Sequence, residues 1–239
     1  LLACSGIGFY AWKWELREPV LEVYFFSLNK GRAVFVRTPE NKTVLIGGGQ
    51  NSEVIRELTK AMPFYSRRID RIVIPSALPA QIGGLIEVID RYDVEEIIMP
   101  KPMATSTVLT QLMKEIRKKK IHTEEAERGD EIEVGGAVFK ILFPHEDFKF
   151  NKSSVPELGL QISYKSTSAY LLGNLSKAIQ KDILKSIEPN GNNIVEFYNS
   201  MADGRVSEEL LEAIDPEFIF STKEKTVRFS SNGMEWERH

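Results

Sequence analysis

From Leu21 onward apolar and polar positions alternate in short runs. Leu21–Asn29, Arg32–Thr38 and Lys42–Gly49 are each rich in β-branched and aromatic residues and are separated by turn-forming residues, which predicts a meander of three strands. The period then changes. Ser52 can cap a helix reaching Ala61, with Val54, Ile55 and Leu58 on one face. Arg71–Pro75 reads as a buried strand, Gly83–Tyr92 as a helix, Glu95–Met99 as a strand and Thr105–Lys119 as a helix. The plan then recurs. Strands are expected at Glu131–Val134, Ala137–Phe143, Leu158–Tyr164 and Ser168–Leu172, then a helix over Ser176–Ser186, a strand at Asn193–Phe197 and a helix over Ser207–Ile214. Glu217–Phe220 and Thr226–Ser230 close the chain as strands. Runs of strands with interspersed helices, occurring twice, predict two sheets packed face to face with helices outside, an α/β sandwich of αββα layers.

The first residues break this pattern. Leu1–Trp14 carries no charge before Lys13 and clusters Tyr10, Trp12 and Trp14, as at a membrane–water interface. Residues 1–19 are therefore expected to be a membrane-proximal flank and residues 20–239 the folded domain. Fourteen residues are too few to span a bilayer, so the flank reads as the end of a transmembrane segment. Two other readings stand beside it: Leu1-Leu2-Ala3-Cys4 as a clipped lipoprotein leader with Cys4 lipidated, or an apolar strand or tail.

Composition narrows the chemistry. With 31 Lys and Arg against 34 Asp and Glu the net charge is -3, so no global field draws the chain to nucleic acid or acidic lipid. The single cysteine, Cys4, excludes an internal disulfide and a cysteine-rich zinc site. Of the three histidines, His122 opens a predicted strand and His145 lies in the long loop to Pro156, neither with an acidic or imidazole partner at ligand spacing, so solvent-exposed structural roles are expected; His239 is terminal and expected to be flexible. The basic stretches Ser66–Arg71 and Lys114–Lys120 read as solvated faces or as phosphate contacts.

The stretch Ser66–Leu85, SRRIDRIVIPSALPAQIGGL, resembles the ComEC-type metallo-β-lactamase domains of the DNA-uptake family, where it reads approximately RRIDxLVLTHPHADHIGGL. Phe26–Gly49, Ala126–Pro144, Ile162–Leu175 and Val195–Pro216 are similar to further stretches of the same family in the same order, so the resemblance runs from Leu21 to Pro216. It implies a metallo-β-lactamase-like αββα sandwich. In the family, the HxHxDH loop with the TGD and HHGS motifs holds one or two zinc or manganese ions, which activate water for hydrolysis.

This chain departs from those motifs at the donor positions. Ser76, Leu78, Ala80 and Gln81 stand for the three histidines and aspartate of HxHxDH, Asn174 for the aspartate of TGD, and Asn199 and Ser200 for the histidine pair of HHGS. Arg32 and Gly47 replace two supporting aspartates. Leu78 and Ala80 offer no donor atom, and the motif positions retain neither carboxylate nor imidazole. No metal, cofactor or catalytic residue is therefore expected. Gly48, Gly49, Gly83 and Gly84 do match, and they serve the fold's turns.

The resulting expectation is a non-catalytic domain of a ComEC-like membrane protein, a binding or structural module in DNA uptake or envelope assembly, membrane-associated on an undetermined side and with protein partners in that assembly. Arg32, Ser76, Gln81 and Asn174 could line a polar cleft that holds nucleic acid or another anion without cutting it; the alternative is a vestigial groove facing solvent. The rivals are a metal-dependent nuclease or phosphodiesterase, implied by the family alone, and an envelope lipoprotein binding a small ligand.

Overall fold

A computed structural model describes residues 18–101, 104–149, 157–188, 191–197, 206–221 and 225–239. Among them the meander forms as expected: β1 (Leu21–Ser27), β2 (Arg32–Arg37) and β3 (Thr43–Ile46) pair antiparallel in sequence. The chain then switches to parallel addition. Helix α1 (Glu53–Ala61) returns it to β4 (Arg68–Val73), and the short helices α2 (Pro79–Ile82) and α3 (Leu85–Arg91) lead to β5 (Asp93–Pro100). Helix α4 (Thr107–Lys119) leads to β6 (His122–Ala126). The chain's last strands, β13 (Val227–Ser231) and β14 (Trp236–Arg238), extend this sheet beyond β1, giving the order β14-β13-β1-β2-β3-β4-β5-β6.

The second sheet has the order β12-β11-β10-β9-β8-β7. It comprises β7 (Glu131–Val134), β8 (Ala137–Phe143), β9 (Gly159–Tyr164), β10 (Thr167–Gly173), β11 (Asn192–Phe197) and β12 (Pro216–Ser221). Helix α5 (Lys177–Ile183), continued by a 3₁₀ turn at Leu184–Ser186, and α6 (Glu208–Ile214) cover its outer face. Three apolar layers follow from strand alternation. Val34 and Val36 of β2 face Leu160, Leu171 and Ile194 between the sheets, while Ala33 and Phe35 face Leu58, Val88 and Ile116 under helices α1, α3 and α4. Tyr170 and Val195 face Ile183 and Leu210 under α5 and α6. The αββα sandwich is thus observed.

The differences from the sequence reading lie at ends and edges. β4 begins at Arg68 instead of Arg71 because Asp70 is used inside the sheet: its carboxylate accepts from Thr43 N at 2.9 Å and Thr43 Oγ1 at 2.9 Å. Helix α2 and strand β14 have too few residues for a periodic signal to emerge. Burial opposes the charge on Asp70, yet the Thr43 backbone and hydroxyl donors, followed by Lys42, hold its carboxyl below the usual range. A carboxyl lowered by folding contributes stability above its unfolded pKa, and that contribution is lost as pH falls through the folded value. Asp70→Asn is accordingly expected to cost about 1–3 kcal/mol near neutral pH. It should also flatten the loss of melting temperature on acidification; an acid limb as steep as that of the wild type would remove Asp70 as its source.

Candidate functional site

One rim of the sandwich gathers the segments that match the family's motifs: the start of β2, the turn after β3, residues 75–84, the turn after β10 and the end of β11. The strand pattern decides what points inward there. In β2, Arg32 shares the inner face with Val34 and Val36; in β11, Glu196 shares it with Ile194. Glu157 immediately precedes Leu158, whose N–H donates to Pro75 O at 2.7 Å and draws the start of β9 onto the 75–84 segment.

These three charges meet. The Arg32 Nε and Nη2 groups donate to Glu157 Oε2 at 2.9 and 2.7 Å, and Nη1 donates to Glu196 Oε2. Gln81 Nε2 donates to the other Glu157 oxygen at 2.8 Å. Arg32 is 4% exposed, Glu157 3%, Glu196 0% and Gln81 2%, so the cluster is sealed from bulk water. Burial alone would pull the arginine's pKa down, but Glu196 and Glu157 outweigh it and hold the guanidinium charged more firmly than in water. Gln81 Oε1 is buried and has no hydrogen-bond partner among the described residues.

The surrounding backbone leaves little room. A Cβ on Gly173 would collide with the guanidinium and lie 2.5 Å from Glu157 Oε2, so the turn matching TGD rests directly on the cluster. Gly31, at φ +83°, approaches Ala80 so closely that a Cβ there would overlap the Ala80 carbonyl oxygen. Gly48 N donates to Gln81 O at 2.7 Å, Gly84 N to Gly49 O at 3.1 Å. The matching glycines therefore serve close backbone approach.

Ser76 is 3% exposed and its Oγ accepts from Leu78 N at 3.2 Å, closing a local turn. Leu78 and Ala80 are half-buried. Asn174, next to Gly173, is exposed. Asn199 and Ser200 lie outside the described residues, as do Cys4 and the membrane-like flank up to residue 17. Arg32, expected to face an anion in an open cleft, is instead buried and committed to two carboxylates. Ser76 and Gln81 are buried with it, and only Asn174 of that set faces solvent.

Sequence reasoning missed Glu157 and Glu196. The signal existed in Glu196: a lone acid within the otherwise apolar strand Ile194–Phe197, on the inward parity, requires a buried counter-charge. The His122 side chain is exposed, as expected, while the terminal His239 is held in place. His122 Nε2 lies 3.3 Å from Glu96 Oε1, across the β5–β6 pairing. His239 is held by its ring to Ser230 Oγ at 2.8 Å and by its N–H to Arg228 O at 2.9 Å. The basic stretch at Arg67–Arg71 is largely spent: Arg68 pairs with Asp70 and Glu95, and Arg71 with Glu96.

The described residues of this rim do not fit a metal. Among the described residues no group of three or more His, Cys, Asp and Glu side chains converges at ion-binding distance. The two carboxylates that do converge enclose a cation supplied by the chain itself.

The architecture defines a metallo-β-lactamase fold. YhfI from Bacillus subtilis, a metallo-β-lactamase fold protein, superposes with a TM-score of 0.55 over 89% of this chain and 100% of that one, at 8% identity. A diphosphatase from the PhnP family gives a TM-score of 0.53 over 85% of this chain and 86% of that one, at 14% identity. By sequence the chain is similar to ComE operon protein 3 of Bacillus subtilis (strain 168), with 20% identity over 243 residues and 95% of this chain. The ComEC-type resemblance thus holds across the domain, and the chain spans 31% of that relative's length. No family model matches the chain.

Proposed function

We propose that this chain is a non-catalytic metallo-β-lactamase-fold module of a ComEC-like membrane protein, tethered at its N-terminus and acting as a binding or structural part of a DNA-uptake or envelope assembly. One observation carries the reading. Where a hydrolase of this fold converges imidazoles and carboxylates on a metal ion, this chain converges Glu157 and Glu196 on the guanidinium of Arg32, with Gln81 donating to the other oxygen of Glu157. An arginine supplies positive charge and fixed donors but has no open coordination position at which water could be activated. The cation that links the two halves of the fold is retained in kind, while its chemistry is not. The membrane part of the reading is supported by the uncharged, aromatic Leu1–Trp12 and by the likeness to ComE operon protein 3.

The test is incubation of the chain with single- and double-stranded DNA in the presence of manganese or zinc, together with elemental analysis of the purified protein. Neither cleavage nor bound metal is expected, and neither ion should raise the melting temperature, since a ligand stabilises only what it binds. Stoichiometric metal or metal-dependent cleavage would overturn the non-catalytic reading.

A further inference from the structure

The rim opposite the Arg32 cluster carries an exposed aromatic pair. Phe64 and Tyr65, in the connection from α1 to β4, are 91% and 70% exposed and touch each other edge to face with centroids 5.4 Å apart. Leaving two such rings in water forgoes the stabilisation that burying their apolar surface would bring. Two adjacent exposed rings offer apolar surface to a contact outside the fold.

Its position says with what. Arg32 and Arg37 are the two ends of β2, about 17 Å apart at strand spacing. Arg37 donates to Ala61 O, three residues before Phe64, and its register partner is Glu22, next to the first residue of β1. Asp93 N donates to Arg67 O at 2.7 Å, bringing the starts of β4 and β5 to this same rim. The chain thus enters the fold at Leu21 beside the aromatic pair, seven residues after Trp14, the last aromatic of the leader Leu1–Trp14. Exposed cations flank the rings: Lys60 at the end of α1, Arg67, and Arg91 at the end of α3. Aromatic rings bracketed by Lys and Arg are the composition that sits at the headgroup level of a bilayer.

We infer that the loop Met62–Arg67 is a second membrane contact, inserting Phe64 and Tyr65 at the bilayer interface. This seats the β1–β4 entry rim on the membrane with the Arg32 end pointing away. The inference rests on the membrane reading of the N-terminal flank, and the experiment separates the two. An environment-sensitive fluorophore is attached at Ser66→Cys, or as a control at Lys30→Cys on the opposite rim, each in the full chain carrying Cys4→Ser. Vesicles of phosphatidylcholine and phosphatidylglycerol are then added. The chain is expected to sediment with the vesicles, with a blue shift at position 66 and none at position 30. The pair Phe64→Ser and Tyr65→Ser should weaken partitioning by about tenfold or more while leaving the melting temperature unchanged. Co-sedimentation without a shift at 66, or with a shift at 30, overturns the loop contact and leaves the tether standing. No co-sedimentation overturns both. A shift with single-stranded oligonucleotide but not with vesicles makes the rings a base-stacking site and overturns the inference.

Discussion

Replacing Arg32 with methionine is expected to lower the unfolding free energy by about 3–5 kcal/mol near neutral pH. The substitution keeps most of the volume and removes the charge, leaving Glu157 and Glu196 facing each other at 3% and 0% exposure. Two carboxylates without a counter-ion in a dry site resist ionisation, so their folded pKa values rise above the unfolded value of about 4.3. Groups raised by folding contribute full stability below the unfolded pKa and lose it as pH rises through the folded value. The deficit of the variant relative to wild type should therefore shrink as pH falls from neutral toward about 4.5, a trend opposite in sign to the acid loss expected at Asp70. Urea denaturation at several pH values reads both. Combining Arg32→Met with Glu157→Gln and Glu196→Met should recover most of the loss, because replacing a whole buried ionic group by neutral residues is close to neutral while breaking it is not. A single variant within 1 kcal/mol of wild type would mean that the cluster is hydrated and that the guanidinium is not the link between the sheets.

How this cluster arose from the chain marks the boundary of what the sequence discloses. The layers were legible because they follow from period: Val34 and Val36 alternate with Ala33 and Phe35, and the two sets end in different cores. The lack of donor atoms at Leu78 and Ala80 was legible too, since neither side chain carries one whatever its conformation. What stood in their place was not. Glu157 and Glu196 are 39 residues apart, a difference of 196 and 157, and both lie more than 120 residues from Arg32. Their meeting depends on β2 and β11 sitting in opposed sheets with inward parity at the same rim, which a one-dimensional pattern does not encode. Read from sequence as lining an open cleft, Arg32 pointed to an anion from outside; the fold supplies both anions from within.

The same rim yields the second large effect. Gly31→Ala is expected to destabilise the protein by about 2–5 kcal/mol, from a left-handed backbone that disfavours a side chain and from overpacking against fixed backbone. Gly31 sits at φ +83° and its added methyl would overlap the Ala80 carbonyl oxygen, which belongs to helix α2 and cannot rotate away as a side chain would. Relief requires the 75–84 segment to lift from the start of β2. That motion would draw Gln81 away from Glu157 and lengthen the distance between Leu158 N and Pro75 O, now 2.7 Å. The variant should therefore lose stability and also expose the Arg32 cluster, seen as faster hydrogen exchange at Leu158 and Gly48, whose N–H groups bond to Pro75 and Gln81. Gly136→Ala provides the contrast: it shares a positive φ, +80°, but a Cβ there would meet nothing nearer than 3.8 Å, so only the backbone cost of about 1–2 kcal/mol should appear. Equal losses at the two glycines would show that backbone conformation alone governs both sites. A larger loss at Gly31, with exchange confined to the rim, would identify the close approach of the β1–β2 turn to the 75–84 segment as what keeps the buried arginine sealed.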